Sequence, residues 1–93
     1  MFTKNFALEM APHRVTVNAI APGGITTEGT SHPVEGMSLE AMQQAMGEFI
    51  RRIPLGRIGI PDDIAAPAVF LASPAADYVT GSLLVVDGGH LLS

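Results

Sequence analysis

The opening stretch Met1–Pro12 places Phe2, Phe6 and Met10 four residues apart, which lines them along one stripe of a helix. Pro12 ends that helix, because proline has no N–H to give back to the preceding turn. In Val15–Ala21 the apolar Val15, Val17, Ala19 and Ala21 alternate with Thr16, Asn18 and Ile20. A period of two with β-branched residues predicts a strand, terminated by the Pro22-Gly23-Gly24 corner. From Ile25 to Met37 the chain is polar and carries Gly29, Pro33 and Gly36, so it reads as a loop. Leu39, Met42, Met46, Phe49, Ile50 and Ile53 then return at helical spacing behind Ser38, whose hydroxyl suits an N-cap. Pro54, Gly56 and Gly59 make a linker.

A third helix is expected from Pro61-Asp62-Asp63, where proline fits the first turn and the carboxylates complement the helix dipole. Ile64, Ala68, Leu71 and Ala72 give it an apolar face, and Ser73-Pro74 ends it. Pro67 should kink this helix or delay its start. Leu83–Val86 is an apolar run without alternation, which suits a strand covered on both faces of a parallel sheet. The order is therefore helix, strand, loop, helix, helix, strand. Two strands separated by helices imply a right-handed parallel crossover. Two parallel strands alone cannot cover both faces, so the pattern predicts the end of a larger, doubly wound α/β domain.

Composition narrows the function classes. Ninety-three residues hold one domain at most. Apolar residues make up 47% and charged residues 15%, below the roughly 25% of an ordinary soluble domain, which leaves a sticky surface and excludes disorder. No apolar run approaches the roughly 20 residues of a membrane span. A net charge of −4 excludes the basic footprint of a nucleic-acid binder. The chain has no cysteine, which excludes a disulfide scaffold, a thiolate zinc site and a cysteine nucleophile. Lys4 and Glu9 interrupt Phe2–Ala11, which is not the core of a signal peptide, so the expectation is a cytoplasmic protein or a piece of one.

Several residues invite a chemical role and are better explained structurally. His13, His32 and His90 share no metal-ligand spacing. Asp62 and Asp63 read as dipole caps rather than an acid/base pair. Asp87-Gly88-Gly89 reads as a strand-ending turn. Ser31, Ser38, Ser73 and Ser82 lack a nucleophile elbow. Met37, Met42 and Met46 read as core or lid packing, and Tyr78, the single tyrosine, as packing. The corner Ala21–Thr27 is different. Ligands of open parallel sheets bind beyond the carboxyl ends of the strands, and this corner lies at such an end. Its glycines permit close backbone approach, and its threonines offer hydroxyls.

Three stretches, Thr3–Thr27, Pro54–Ser73 and Tyr78–His90, closely resemble the C-terminal part of short-chain dehydrogenases/reductases, in the family's order. The segment between Glu28 and Arg51 has no match and corresponds to the family's variable substrate loop. The resemblance implies that residues 1–93 are the C-terminal portion of a single Rossmann-type domain, with residues 28–51 as its substrate loop and lid. It implies NAD or NADP as cofactor and a small-molecule alcohol or carbonyl as substrate. Pro22 and Gly23 correspond to the Pro-Gly turn beside the nicotinamide. Ile25 corresponds to the residue whose backbone meets the carboxamide, and Thr27 to the hydroxyl that reaches the carboxamide or the pyrophosphate.

The departures matter as much. The glycine-rich phosphate loop and the catalytic serine, tyrosine and lysine have no counterpart here. Tyr78 is followed four places later by Ser82, so it cannot stand in for the tyrosine–lysine pair. By analogy the lysine belongs a few residues before Met1, and the chain is expected to be inactive alone. The resemblance further implies a homodimer or homotetramer, joined through the first helix and through the last strand with the third helix. The ending Val85–His90 looks more like sugar- and polyol-oxidising members than acyl-carrier-protein reductases, whose ending reads Asn-Gly-Gly. The competing reading is a truncated, non-catalytic chain that acts as an interaction module or has no function.

Overall fold

The computed structural model describes residues 1–26 and 36–92. Its described residues fall into two compact units, one built from Met1–Pro22 with Asp62–Val86, the other from Gly23–Pro61 with Asp87–Ser93.

In the first unit, helix α1 runs over Phe2–Met10 and a short 3-10 turn over Ala11–His13 contains Pro12. Arg14 closes that turn in the left-handed region, at φ 59°, with its N–H on the Ala11 carbonyl. Phe2 and Phe6 stack at 5.6 Å on the stripe that their spacing predicts. That stripe faces outwards: Phe2 is 78% exposed, while Ala7 is the buried residue of α1.

Strand β1 is Ala19–Pro22 and β2 is Leu83–Val86, paired in parallel with Ala19 opposite Leu83 and Pro22 opposite Val86. The expected parallel crossover is therefore present. β1 is shorter than the alternation of Val15–Ala21 predicts. Val15–Asn18 lies outside the ladder, and its polar groups bond to the end of α1 and to the Val79–Ser82 loop instead of a strand. The Val15 N–H donates to the Met10 carbonyl at 3.3 Å and the Val17 N–H to the Thr80 hydroxyl at 3.0 Å. The Gly81 N–H returns to the Val17 carbonyl at 2.7 Å. Gly81 takes φ +75°, a left-handed conformation in which a side chain would be strained.

Helix α3 covers Pro61–Leu71, with Asp62 and Asp63 in its first turn, as expected. Pro67 lies inside it without ending it. Ile64, Pro67 and Leu71 sit on its less exposed side, whereas Ala68 and Ala72 are exposed. The proline ring thus serves the inner face that the sequence reading assigned to Ala68. The Ser73 hydroxyl donates to the Phe70 carbonyl at 2.7 Å, and a 3-10 turn over Pro74–Ala76 follows. On β2 the apolar run does not end up covered on both faces: Leu83 and Val85 are exposed.

In the second unit, helix α2 spans Leu39–Arg51, and the Ser38 hydroxyl accepts the Ala41 N–H at 3.0 Å, the expected N-cap. Beyond its end, Ile53 is buried, 4% exposed. A methyl group on Gly88 would lie 2.7 Å from Ile53 Cγ2, and Gly88 also takes φ +66°, so the position demands glycine twice over. The Leu55 N–H donates to the Gly88 carbonyl at 3.0 Å, and a 3-10 turn over His90–Leu92 follows.

Candidate nicotinamide corner

Pro22 is the exposed last residue of β1, and the corner continues from it into the second unit through Gly23, Gly24 and Ile25. Thr27 and residues 28–35 lie outside the described residues; residues 36–51, with α2, are the described part of the segment that begins at Glu28.

Both glycines are held against protein. A methyl on Gly23 would meet Asp87 Cβ at 2.6 Å and Asp87 Cα at 2.9 Å. A methyl on Gly24 would meet Phe49 Cε1 at 2.6 Å and Cζ at 2.8 Å. The missing side chains that the sequence reading linked to ligand approach thus admit Asp87 and Phe49.

Ile25 forms an isolated parallel bridge with Gly59. The Thr26 N–H donates to the Gly59 carbonyl at 2.9 Å, and the Gly59 N–H donates to the Gly24 carbonyl at 3.0 Å. Gly59, expected in a linker, is therefore the strand-like partner that straightens the corner. In a parallel bridge the bonds come from the neighbours of the central residue, so the N–H and C=O of Ile25 itself point to the opposite edge. That edge offers one donor and one acceptor side by side. A primary carboxamide offers the matching acceptor and donor.

Asp87 anchors the neighbouring turn. One carboxylate oxygen accepts the Gly89 N–H at 2.8 Å and the other the Leu91 N–H at 3.0 Å. The Leu91 N–H is the largest cause that holds its carboxyl below the ordinary 3.8; partial desolvation opposes it, and the Gly89 N–H and the positive charge of His90 add to it. The strand-ending turn expected at Asp87 is what the structure contains. The His90 ring in turn lies 5.4 Å from the Phe49 ring, tilted by 41°.

A family model described as enoyl-(acyl carrier protein) reductase matches residues 1–90. The chain belongs to the short-chain dehydrogenase/reductase family. A 2-dehydro-3-deoxy-D-gluconate 5-dehydrogenase of Dickeya dadantii is 48% identical over 89 residues, which are 96% of this chain and 33% of that protein. A 3-oxoacyl-[acyl-carrier-protein] reductase of Chlamydia pneumoniae is 47% identical over 88 residues, 95% of this chain and 32% of that protein. An Agrobacterium tumefaciens protein whose crystal structure contains bound NADP superposes with a TM-score of 0.83 at 47% identity, over 99% of this chain and 35% of that one. The chain thus spans about a third of the length of the relatives it matches. Its architecture is part of the Rossmann-type α/β fold of this short-chain dehydrogenase/reductase family.

Sequence reasoning missed two residues in this family member. Asn18 looked like an alternating polar position of a strand, yet both ends of its side-chain amide are engaged: Nδ2 donates to the Val79 carbonyl and Oδ1 accepts the Ser82 N–H, both at 3.0 Å. An asparagine within an otherwise β-branched run was the available signal. Phe49 was assigned to a helix face, but no sequence pattern links it to Gly24.

Proposed function

We propose that this chain forms the nicotinamide-side wall, the substrate lid and part of the oligomer interface of an NAD(P)-dependent oxidoreductase that interconverts alcohols and carbonyls. The observation that carries the reading is the outward edge of Ile25, a donor and an acceptor that fit a primary carboxamide. When bound, the nicotinamide supplies the hydride donor or acceptor. Ile25 orients that ring through its amide, Pro22 and Gly23 bound it, and the Thr27 hydroxyl binds the carboxamide or the pyrophosphate. The relatives with known names are dehydrogenases and reductases, one solved with NADP, which supports the cofactor class. Two of them differ in substrate at nearly equal identity, so the proposal stops at the reaction class. The lid is residues 28–51, with α2 as its described part. A cytoplasmic homodimer or homotetramer completes the proposal, its association supported by the exposed Phe2, Leu8, Leu83 and Val85.

The complete subunit that contains these residues provides the test. Replacing the carboxamide of the cofactor by a carboxylate removes the donor that the Ile25 carbonyl accepts. The acid form of NADP, with NAD's acid form in parallel, is expected to bind about tenfold or more weakly than the amide. Equal affinity for acid and amide overturns the assignment.

A further inference from the structure

The Phe49 ring occupies the space that a side chain on Gly24 would fill, with Cε1 and Cζ inside ordinary contact distance of that position. Gly24 immediately precedes Ile25, and its carbonyl accepts the Gly59 N–H that fixes the bridge. Behind Phe49, the ring is braced by His90, and the His90 turn is in turn tied down by Asp87 through Gly89 and Leu91. The Phe49 ring therefore packs directly against Gly24, one residue before the bridge that aims the Ile25 amide. We infer that Phe49 is a positioning residue for the nicotinamide end of the cofactor: from α2, it props the Gly24–Ile25 backbone at the angle that presents the Ile25 N–H and C=O. The inference rests on the carboxamide reading of Ile25. It adds that the helix of the proposed lid and the cofactor edge are one mechanical unit, so that the placement of α2 tunes cofactor binding.

The test uses the complete subunit and two probes, NADPH and 2′-phospho-ADP-ribose, the same molecule without its nicotinamide; NADH and ADP-ribose are run in parallel. Gly24 does not adopt a left-handed backbone, and the atoms nearest to an added methyl all belong to the Phe49 ring. Gly24→Ala is expected to weaken NADPH binding about fivefold while 2′-phospho-ADP-ribose binding stays within about twofold. Phe49→Ala loosens NADPH binding as well, and Phe49→Leu less so. In the double variant Gly24→Ala/Phe49→Ala the new methyl has room, so the loss is no greater than that of Phe49→Ala alone. Losses that multiply in the double variant overturn the inference, as does an equal loss for both probes, which marks general unfolding. Wild-type subunit that binds NADPH no more tightly than 2′-phospho-ADP-ribose identifies a different failure, that of the Ile25 reading itself.

Discussion

Asn18 Oδ1 accepts the Ser82 backbone N–H at 3.0 Å, one residue before the strand ladder begins at Ala19 and Leu83. The Ser82 carbonyl completes the rung by accepting the Ala19 N–H at 2.9 Å. A side-chain amide thus extends the β1–β2 pairing, between the Ala19–Ser82 rung and the backbone bond from the Gly81 N–H to the Val17 carbonyl. Asn18→Ala leaves the Ser82 N–H and the Val79 carbonyl without these partners and is expected to destabilise the subunit by about 1–3 kcal/mol. Asn18→Asp keeps the acceptor but turns an oxygen towards the Val79 carbonyl, so it gives no rescue. Urea unfolding of the three proteins measures both effects; an unchanged midpoint in Asn18→Ala rules out the clamp.

Gly23→Ala meets Asp87 backbone and Cβ atoms that cannot swing aside. A loss of about 1–3 kcal/mol is expected, typical of overpacking. Thermal unfolding reads it, and a smaller residue at position 87 (Asp87→Gly) should relieve part of the clash. A Gly23→Ala subunit as stable as wild type would show that the approach of Asp87 is not tight.

Asp87 also sets an acid limb. Its carboxyl is held below 3.8 in the fold, so its stabilisation is present above that value and fades as pH falls through the folded value. Relative to Asp87→Asn, the wild-type advantage in unfolding midpoint should be constant above about pH 5 and close in more acid solution. A gap that persists unchanged at pH 3 contradicts the role of the charge.

The 93-residue polypeptide on its own is expected to produce no reduced cofactor from NAD or NADP with a panel of alcohols, because the tyrosine–lysine pair of the family is not in it. Phe2, Phe6 and Leu8 on α1, and Leu83 and Val85 on β2, are exposed, and among the described residues β1 pairs with β2 alone, which leaves its other edge open. The same polypeptide should therefore self-associate. Light scattering over a concentration series checks this; a stable monomer that unfolds cooperatively contradicts it.

Local signals carried most of the elements. Ser38 announces α2, Pro61 with Asp62 and Asp63 announces α3, and the unbroken Leu83–Val86 run announces a parallel strand, because each acts through its immediate neighbours. Contacts between distant positions were not legible. Alternation over Val15–Asn18 resembles a strand, yet the partner there is the Val79–Ser82 loop, bonded through side chains. Gly59 looks like any linker glycine until Ile25 is placed beside it. Around the corner, the glycines were read as room for a ligand; that Asp87 and Phe49 come close to them depends on positions far along the chain.

The clamp between Asn18 and Ser82 joins residues 64 positions apart. On a ribosome that adds 5–20 residues each second, β1 emerges about 3–13 s before the strand that completes it. Over that interval the edge of β1 that β2 will cover is satisfied only by water or by another protein, while α1 and α2 are already able to coil locally. Synthesis speed across residues 23–82 thus sets how long this edge remains available to chaperones, and to its own sister chains on the same messenger RNA.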